Sequence, residues 1–427
     1  MSDIPFGFNR PGEPGDENDP AKQDPFGAGN MQDFAAMLHQ FADMLSNPSS
    51  GGGPLNWDLA KDIARHQVVE QGDPSVLDAQ RRAVVEALRL ADLWLDEVTT
   101  HPAGIRTPQA WSRSEWIEHT LPVWSKICDP MATRMVESMS SAMPEEMRAM
   151  AGPLVGMLQQ MAGAMVGGQA GQALGGLALE VVGSTDIGLP LAPAGVGALL
   201  PSGVRAFGEG LEVDEDEVRL YLALREAAHQ RLFEHVPWLR SHVLRAVEDY
   251  ASGITVDLSK IEDAVAGMDL SNPEALQQAL GGELSLTPEE TPQQKAALAR
   301  LETALALIEG WVDTVVNNAA KDRLPSTDKL AEAVRRRRAT GGPAERTFAT
   351  LVGLELRPRR LREAAALWVS LGEARGNDGR DAVWAHPDLM PTAGDLDDPT
   401  AFIEGKSADI DITDFTEPKD DKPDEEA

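Results

Sequence analysis

A single cysteine, Cys128, stands in 427 residues. No disulfide can form within the chain, and no cysteine-based zinc cluster can be built, which suits a reducing compartment. Aromatic residues are scarce at 5%, with only 2 tyrosines, so the core is expected to consist mostly of Leu, Val, Ala and Met. Positive charge is also short: 38 Lys and Arg face 69 Asp and Glu, for a net charge of −31. Such a surface repels phosphates and argues against nucleic acid as the main partner. The opening residues "MSDIPFGFNRPGEPGDENDP" have no basic start and no apolar run. No signal peptide is therefore expected, and a cytoplasmic location is. No Gly-rich phosphate loop follows a strand, and the serines form no nucleophile elbow. Cys128 has no evident histidine partner and reads as a core thiol.

What is present is helical patterning over most of the length. Residues 1–30 are rich in Pro, Gly and Asp and are expected to be disordered. Residues 31–56 hold a short amphipathic helix, with Phe34, Met37, Leu38, Phe41 and Leu45 on one stripe, followed by the flexible linker "PSSGGGP". From Trp57 to about residue 393 a mainly α, multi-helix domain with at most a few short strands is expected. Within it "TPQAWSRSEWIEHTLPVWSKICDPMATRMVESMSSAM" reads as two helices punctuated near Pro122. Gly163, Gly167, Gly171 and Gly175 recur every four residues, leaving one helix face bare for close approach of another. Gln169, Gln172 and Glu180 interrupt that apolar run, so a tightly packed internal helix is expected rather than a membrane span. "DIGLPLAPAGVGALLPSGV" has some strand character, limited by its Pro and Gly to short edge strands or loop. Residues 394–427 form an acidic tail expected to be disordered; from Asp395 it has 13 acidic and 3 basic residues.

The most informative stretch is "LALREAAHQRLFEHVPW", Leu222 to Trp238. Its helix is expected to start at Asp214, with Asp214 and Glu217 forming a capping box, and to run to Pro237, which opens a second helix. At about 100° per residue, Val218, Tyr221, Leu222, Arg225, His229, Leu232 and Val236 share one face, with Glu226 beside them. Charge is thus set into an apolar face, where it requires a partner or a metal. Arg225-Glu226-Ala227-Ala228-His229 is one substitution from H-E-x-x-H. In that motif two histidines one turn apart hold zinc, and the glutamate activates its water. A guanidinium has no lone pair to offer and cannot ligate. A missing ligand could come from elsewhere. His235 lies six residues beyond His229, but Leu232 stands where a chain-reversing Gly would be needed. Glu248 follows an eighteen-residue gap. Glu302 and Glu309 flank the apolar stripe of a long helix. His235 and His242 read as packing or surface histidines.

The runs "REAAHQRLFEHVPWLRSHV", "LIEGWVDTVV", "GGPAERTFATLVGLELRPRRLREAAALW" and "GRDAVWAHPDLMPTAGDLDDP" resemble the actinobacterial zincin-like metallopeptidase type 2 family, over roughly Trp57 to Phe402. The resemblance implies a zincin-like fold and a zinc-dependent hydrolase or protease acting on peptide or protein. It implies Glu226 as general base, His229 as metal ligand, and Glu309 or Glu248 as further ligands. This chain is similar to a branch reading R-E-A-A-H; the intact branch has Glu-Gly-His where this chain has Glu309-Gly310-Trp311.

Two readings follow. One is a zinc-dependent hydrolase using Glu226, His229 and carboxylates. The other, which Arg225 favours, is a zincin-fold binding or scaffold protein without zinc, with weak or no catalysis. There Arg225 takes the cation's place and must lie within ion-pair distance of Glu248, Glu302 or Glu309. The basic segment "RRRR" at 335–338, with Arg346, Arg357, Arg359, Arg360 and Arg362, has no interleaved aromatics, and pairing with the acidic tail explains it more simply than nucleic acid does.

Overall fold

The computed structural model describes residues 55–141, 152–252, 291–339, 347 and 360–405. The expected N-terminal tail, and all of the amphipathic helix and linker up to residue 54, lie outside the described residues. So do the acidic tail from residue 406 onward and the basic-segment residues Arg346, Arg357 and Arg359.

Twelve α-helices and one two-stranded sheet form the described part, the mainly helical architecture that the periodicity predicts. In chain order these are α1 (Trp57–Glu70), α2 (Asp78–Leu95), β1 (Thr107–Ala110), α3 (Arg113–Ser141), α4 (Gly152–Glu180) and β2 (Val196–Leu199). There follow α5 (Pro201–Gly208), α6 (Glu215–His235), α7 (Leu239–Ser252), α8 (Pro292–Ala320) and α9 (Thr327–Ala339). Last come α10 (Leu361–Asp381), α11 (Ala393–Asp397) and α12 (Pro399–Ile403). The acidic stretch from 394 therefore begins as two short helices packed against α10, not as a tail.

Helix α6 is the axis of the molecule. Every residue from Tyr221 to Phe233 is buried, so it is wrapped on all sides rather than on one stripe. It packs against α2, α5, α8 and β2. Its start corrects the expected capping box. Asp214 accepts from the Asp216 amide at 2.8 Å, but Glu217 turns away to accept from the Ser326 amide at 3.1 Å. Ser326 N–H lies at the start of α9, so Glu217 serves that helix's free donor instead of its own. After the α6 C-cap at Val236, α7 begins at Leu239 rather than at Pro237.

Three other expectations are corrected. The segment around Pro122 is one 29-residue helix, α3, containing both Pro122 and Pro130. Pro122 and Glu118, whose carbonyl the proline leaves unpaired, lie on the exposed face, where solvent replaces the lost bond. Thr107–Ala110, which reads as the start of a helix, is a strand paired in parallel with β2, Thr107 opposite Val196 and Ala110 opposite Leu199. The core is also richer in tryptophan than its aromatic content suggests. Trp111, Trp116, Trp124, Trp311, Trp368 and Trp384 are its largest fully buried side chains, and no Met appears among the described buried residues.

The bare face of α4 does receive another helix. A Cβ at Gly167 would lie 2.8 Å from the Asn56 carbonyl oxygen, and one at Gly171 2.6 Å from that of Ala60. These are backbone atoms of α1 and its cap, so they cannot swing aside. Gly168, one residue after Gly167, has its nearest neighbour at 3.8 Å. Gly→Ala gains about 1 kcal/mol of helix propensity, whereas forcing two backbones apart costs about 1–3 kcal/mol. Gly171→Ala is therefore expected to lower the urea midpoint and Gly168→Ala to leave it unchanged or raise it. Equal effects at the two positions would contradict this packing. Among the described residues no helix is long and apolar enough to cross a membrane.

Candidate functional site

One carboxylate, Glu309 on α8, gathers the charged groups that the sequence singles out. It is 3% exposed. Its Oε2 accepts from Arg225 Nη2 at 2.6 Å. Its Oε1 lies 2.9 Å from His229 Nε2 and 2.7 Å from Arg338 Nη2. Three side chains from α6 and α9 thus converge on one acid. Arg225 and His229 are one turn apart and face the same way, which is why both reach it. Of the three carboxylates expected as partners for Arg225, the structure brings in Glu309; Glu302 is half-buried on the same helix and Glu248 half-buried on α7.

Both ring nitrogens of His229 face oxygen atoms. His229 Nδ1 lies 2.8 Å from the Arg225 carbonyl oxygen, an acceptor, so Nδ1 must carry hydrogen. Its Nε2 faces the Glu309 carboxylate. Burial alone would push the Glu309 carboxyl up, but Arg338, His229 and Arg225 overcome it and hold the group far below its ordinary value. Burial disfavours charge on Arg225 too, yet Glu309, Tyr221 and Asp313 together raise its pKa. The Tyr221 hydroxyl, pushed up to about 12 by burial, stays protonated and donates to Asn317 Oδ1 at 3.3 Å.

A second layer surrounds this knot. Asp313, one turn beyond Glu309, lies 3.8 Å from Arg225 Nη1 and 3.4 Å from Arg335 Nη1. Arg337 holds Asp186 with contacts of 2.9 and 3.1 Å, and Arg338 also donates to the Asp186 carbonyl at 2.9 Å. Within the run 335–338, Arg336 is exposed, while Arg335, Arg337 and Arg338 pair with acids of α8 and of the segment after α4. Of the expected pairing with the acidic tail, Arg360 with Asp397 is present, and the tail from residue 406 onward lies outside the described residues. A cavity of about 230 Å³ opens beside Arg225, Glu309 and Asp313.

Glu226 is elsewhere. It is 3% exposed, and its Oε2 accepts from the Thr185 amide at 3.0 Å and Thr185 Oγ1 at 2.7 Å. Its Oε1 accepts from Gln230 Nε2 at 3.1 Å and from the Ser184 hydroxyl. Four donors occupy it, and the cavity beside Glu309 is not lined by it. The sequence showed Glu226 beside the charged face but gave no sign of the Ser184–Thr185 cage that engages it. Trp311 is likewise turned away: its indole donates to Asp381 Oδ1 at 2.9 Å, two residues and thus about half a turn from Glu309. His235 is exposed, with Nε2 3.2 Å from the Ala103 carbonyl. Burial, with Arg300 and Arg245, lowers the pKa of His242 on α7. Cys128 is buried, and burial pushes its thiol up, the state of an inert core group.

Zinc would require three or four neutral or anionic donors at about 2.0–2.3 Å. Around Glu309 the donors are that carboxylate and one imidazole, and both already engage cations or hydrogens. Two guanidinium groups stand where further ligands would enter. Among the described residues no group of three or more His, Cys, Asp or Glu side chains converges as a metal set. The donor set, as arranged, does not fit the ion.

The comparisons with known proteins bear on the coarser family, zincin-like metallopeptidases. No curated protein matches the chain. A solved structure from Chloroflexus aurantiacus, described as a candidate hydrolase with a novel fold, superposes with a TM-score of 0.58 at 21% identity. It covers 82% of this chain and 98% of its own. At that identity the likeness shows the shared fold. The family model for zincin-like metallopeptidases matches residues 55–403, nearly the whole described body. The chain belongs to the zincin-like metallopeptidase family.

Proposed function

We propose that this protein is a member of the zincin-like metallopeptidase family whose metal position has been replaced by an ion-paired centre, and that it binds its partner with weak or no hydrolysis. The observation that carries this is Glu309 held by Arg225 at 2.6 Å, Arg338 at 2.7 Å and His229 at 2.9 Å. In a zincin the metal ties its helices together; here the guanidinium groups tie α6, α8 and α9 through one carboxylate. Peptide or protein is the partner class that family membership favours, and a cytoplasmic location remains part of the proposal.

The hydrolase reading is favoured by family membership alone. It assigns Glu226 as general base, with His229, Glu309 and Glu248 as zinc ligands. It would require Glu226 to leave four donors and two arginines to leave Glu309, so the present arrangement does not support it.

Metal analysis separates the readings. The purified wild-type chain is expected to hold well under one zinc per molecule. Arg225→His combined with Arg338→Gln removes both guanidinium groups and offers a second imidazole. That variant is expected to take up zinc where the wild type does not. Stoichiometric zinc in the wild type, lost on chelation together with peptidase activity, overturns the proposal.

A further inference from the structure

We propose that the cavity beside Glu309 is a binding site for a small organic carboxylate, held by Arg338 and Arg362 with its hydrocarbon stem against Val334, Leu361 and Ala365. This rests on the metal-free reading of the centre, because a zinc ion would displace Arg225 and alter the cavity wall.

The charge balance points to an anion. Among the described residues the lining carries four guanidinium groups, Arg225, Arg335, Arg338 and Arg362, against two carboxylates, Glu309 and Asp313. Glu332 offsets part of the Arg335 charge at the rim, at 3.3 Å, and the Asp186 carboxylate is ion-paired with Arg337 at 2.9 Å while it also acts on Arg338 and Arg225. A surplus of cation therefore remains on the cavity wall. Burial lowers the pKa of Arg338; Glu309 and Asp186 oppose this, and Arg225 and Arg337 add to it. Arg362, at the start of α10, is exposed and has no ion-pair partner among the described residues.

Shape and polarity select the kind of anion. At about 230 Å³ the cavity lies below the roughly 300–1,000 Å³ of drug-sized sites. Arginine forks favour planar two-oxygen acceptors. The side chains of Val334, Leu361 and Ala365 offer nothing polar, so the rest of the ligand is a short hydrocarbon. A free short-chain acid and the C-terminus of a peptide with an apolar last residue both supply this chemistry.

Calorimetric titration of the full chain tests it, with zinc content measured on the same preparation. The probes are butyrate, a short peptide ending in valine with a free C-terminus, the same peptide amidated, and inorganic phosphate. Saturable binding of butyrate or of the free-ended peptide at one site per chain is expected; the tighter of the two names the source, and the amidated peptide is expected not to bind. Arg362→Ala, which removes an exposed side chain, is expected to weaken binding about tenfold, the effect of one charge-assisted contact. Ala365→Leu, which fills the apolar side, is expected to abolish binding while the circular dichroism spectrum is retained. Three results overturn the inference: no carboxylate binding, phosphate binding at least as tightly as butyrate, or carboxylate binding unchanged in both variants. If they occur in protein lacking zinc, the metal-free centre stands and the cavity assignment falls. Stoichiometric zinc in the preparation removes the basis of both.

Discussion

Glu309→Gln is expected to destabilise the protein by about 3–5 kcal/mol, the cost of leaving a buried charge without its partner. The amide keeps the shape of the side chain but not the charge. Arg225, Arg338 and His229 would then face one another across a neutral group. The urea midpoint measures the loss, and a change below about 1 kcal/mol, as for an exposed ion pair, would sink the account of the centre. Replacing the whole set by apolar residues, Glu309→Leu with Arg225→Met and Arg338→Met, is expected to recover much of the loss, since well-packed apolar groups often match a buried ion pair. The pH dependence follows the same logic. The folded carboxyl titrates below its ordinary value of 4.5, so the unfolded chain binds the proton first. Its stabilisation is complete above about pH 4.5 and is lost as pH falls through the folded value. Stability curves of the wild type and of Glu309→Gln are therefore expected to converge on acidification.

Arg231→Met is expected to cost a comparable amount, about 3–5 kcal/mol, far from any chemistry. Arg231 has a fully buried side chain and fastens α6 to the end of α2. Its guanidinium donates to the His101 and Asp92 carbonyls at 2.6 Å each, and reaches Asp96 at 2.7 Å and Asp92 Oδ1 at 3.2 Å. Methionine fills the space but leaves two carbonyls and the Asp92 carboxylate, already raised by burial, without donors. Thermal unfolding of Arg231→Met beside Arg231→Lys measures it. Lysine carries the charge without the fork, so it should recover only part of the loss. A methionine variant as stable as the wild type would refute this role.

How much of this was legible differs from residue to residue. The helical class followed from apolar spacing. Arg225 demanded a carboxylate because a charge set into an apolar face cannot remain alone, and Glu309 was among the three acids named. Arg338 was not found, because a run of four arginines at a helix end looks the same whether it faces water or the interior. A signal existed: Arg335 and Arg338 are three apart, and Glu309 and Asp313 are four apart, so each pair shares a helix face. Strand β1 was missed because four residues beginning Thr-Pro carry no alternation, and their extended form is set by β2, about ninety residues later in the sequence. Glu226 could not be placed, since its cage is made by Ser184 and Thr185 in a segment without regular structure.

The partners of α6 are widely scattered along the chain, and this has a consequence for how the molecule comes into being. Glu226 meets Ser184 across 42 residues, Arg225 meets Glu309 across 84, and Arg231 meets Asp92 across 139. Ribosomes release the chain from its N-terminal end, so each nascent molecule passes through an interval in which α6 exists and α8 does not. During it the guanidinium of Arg225 has water for company, and apolar surface destined for the centre stays open. Closure of such distant pairs is slow compared with forming a local helix, and half-made chains in that interval are the ones most prone to stick to one another.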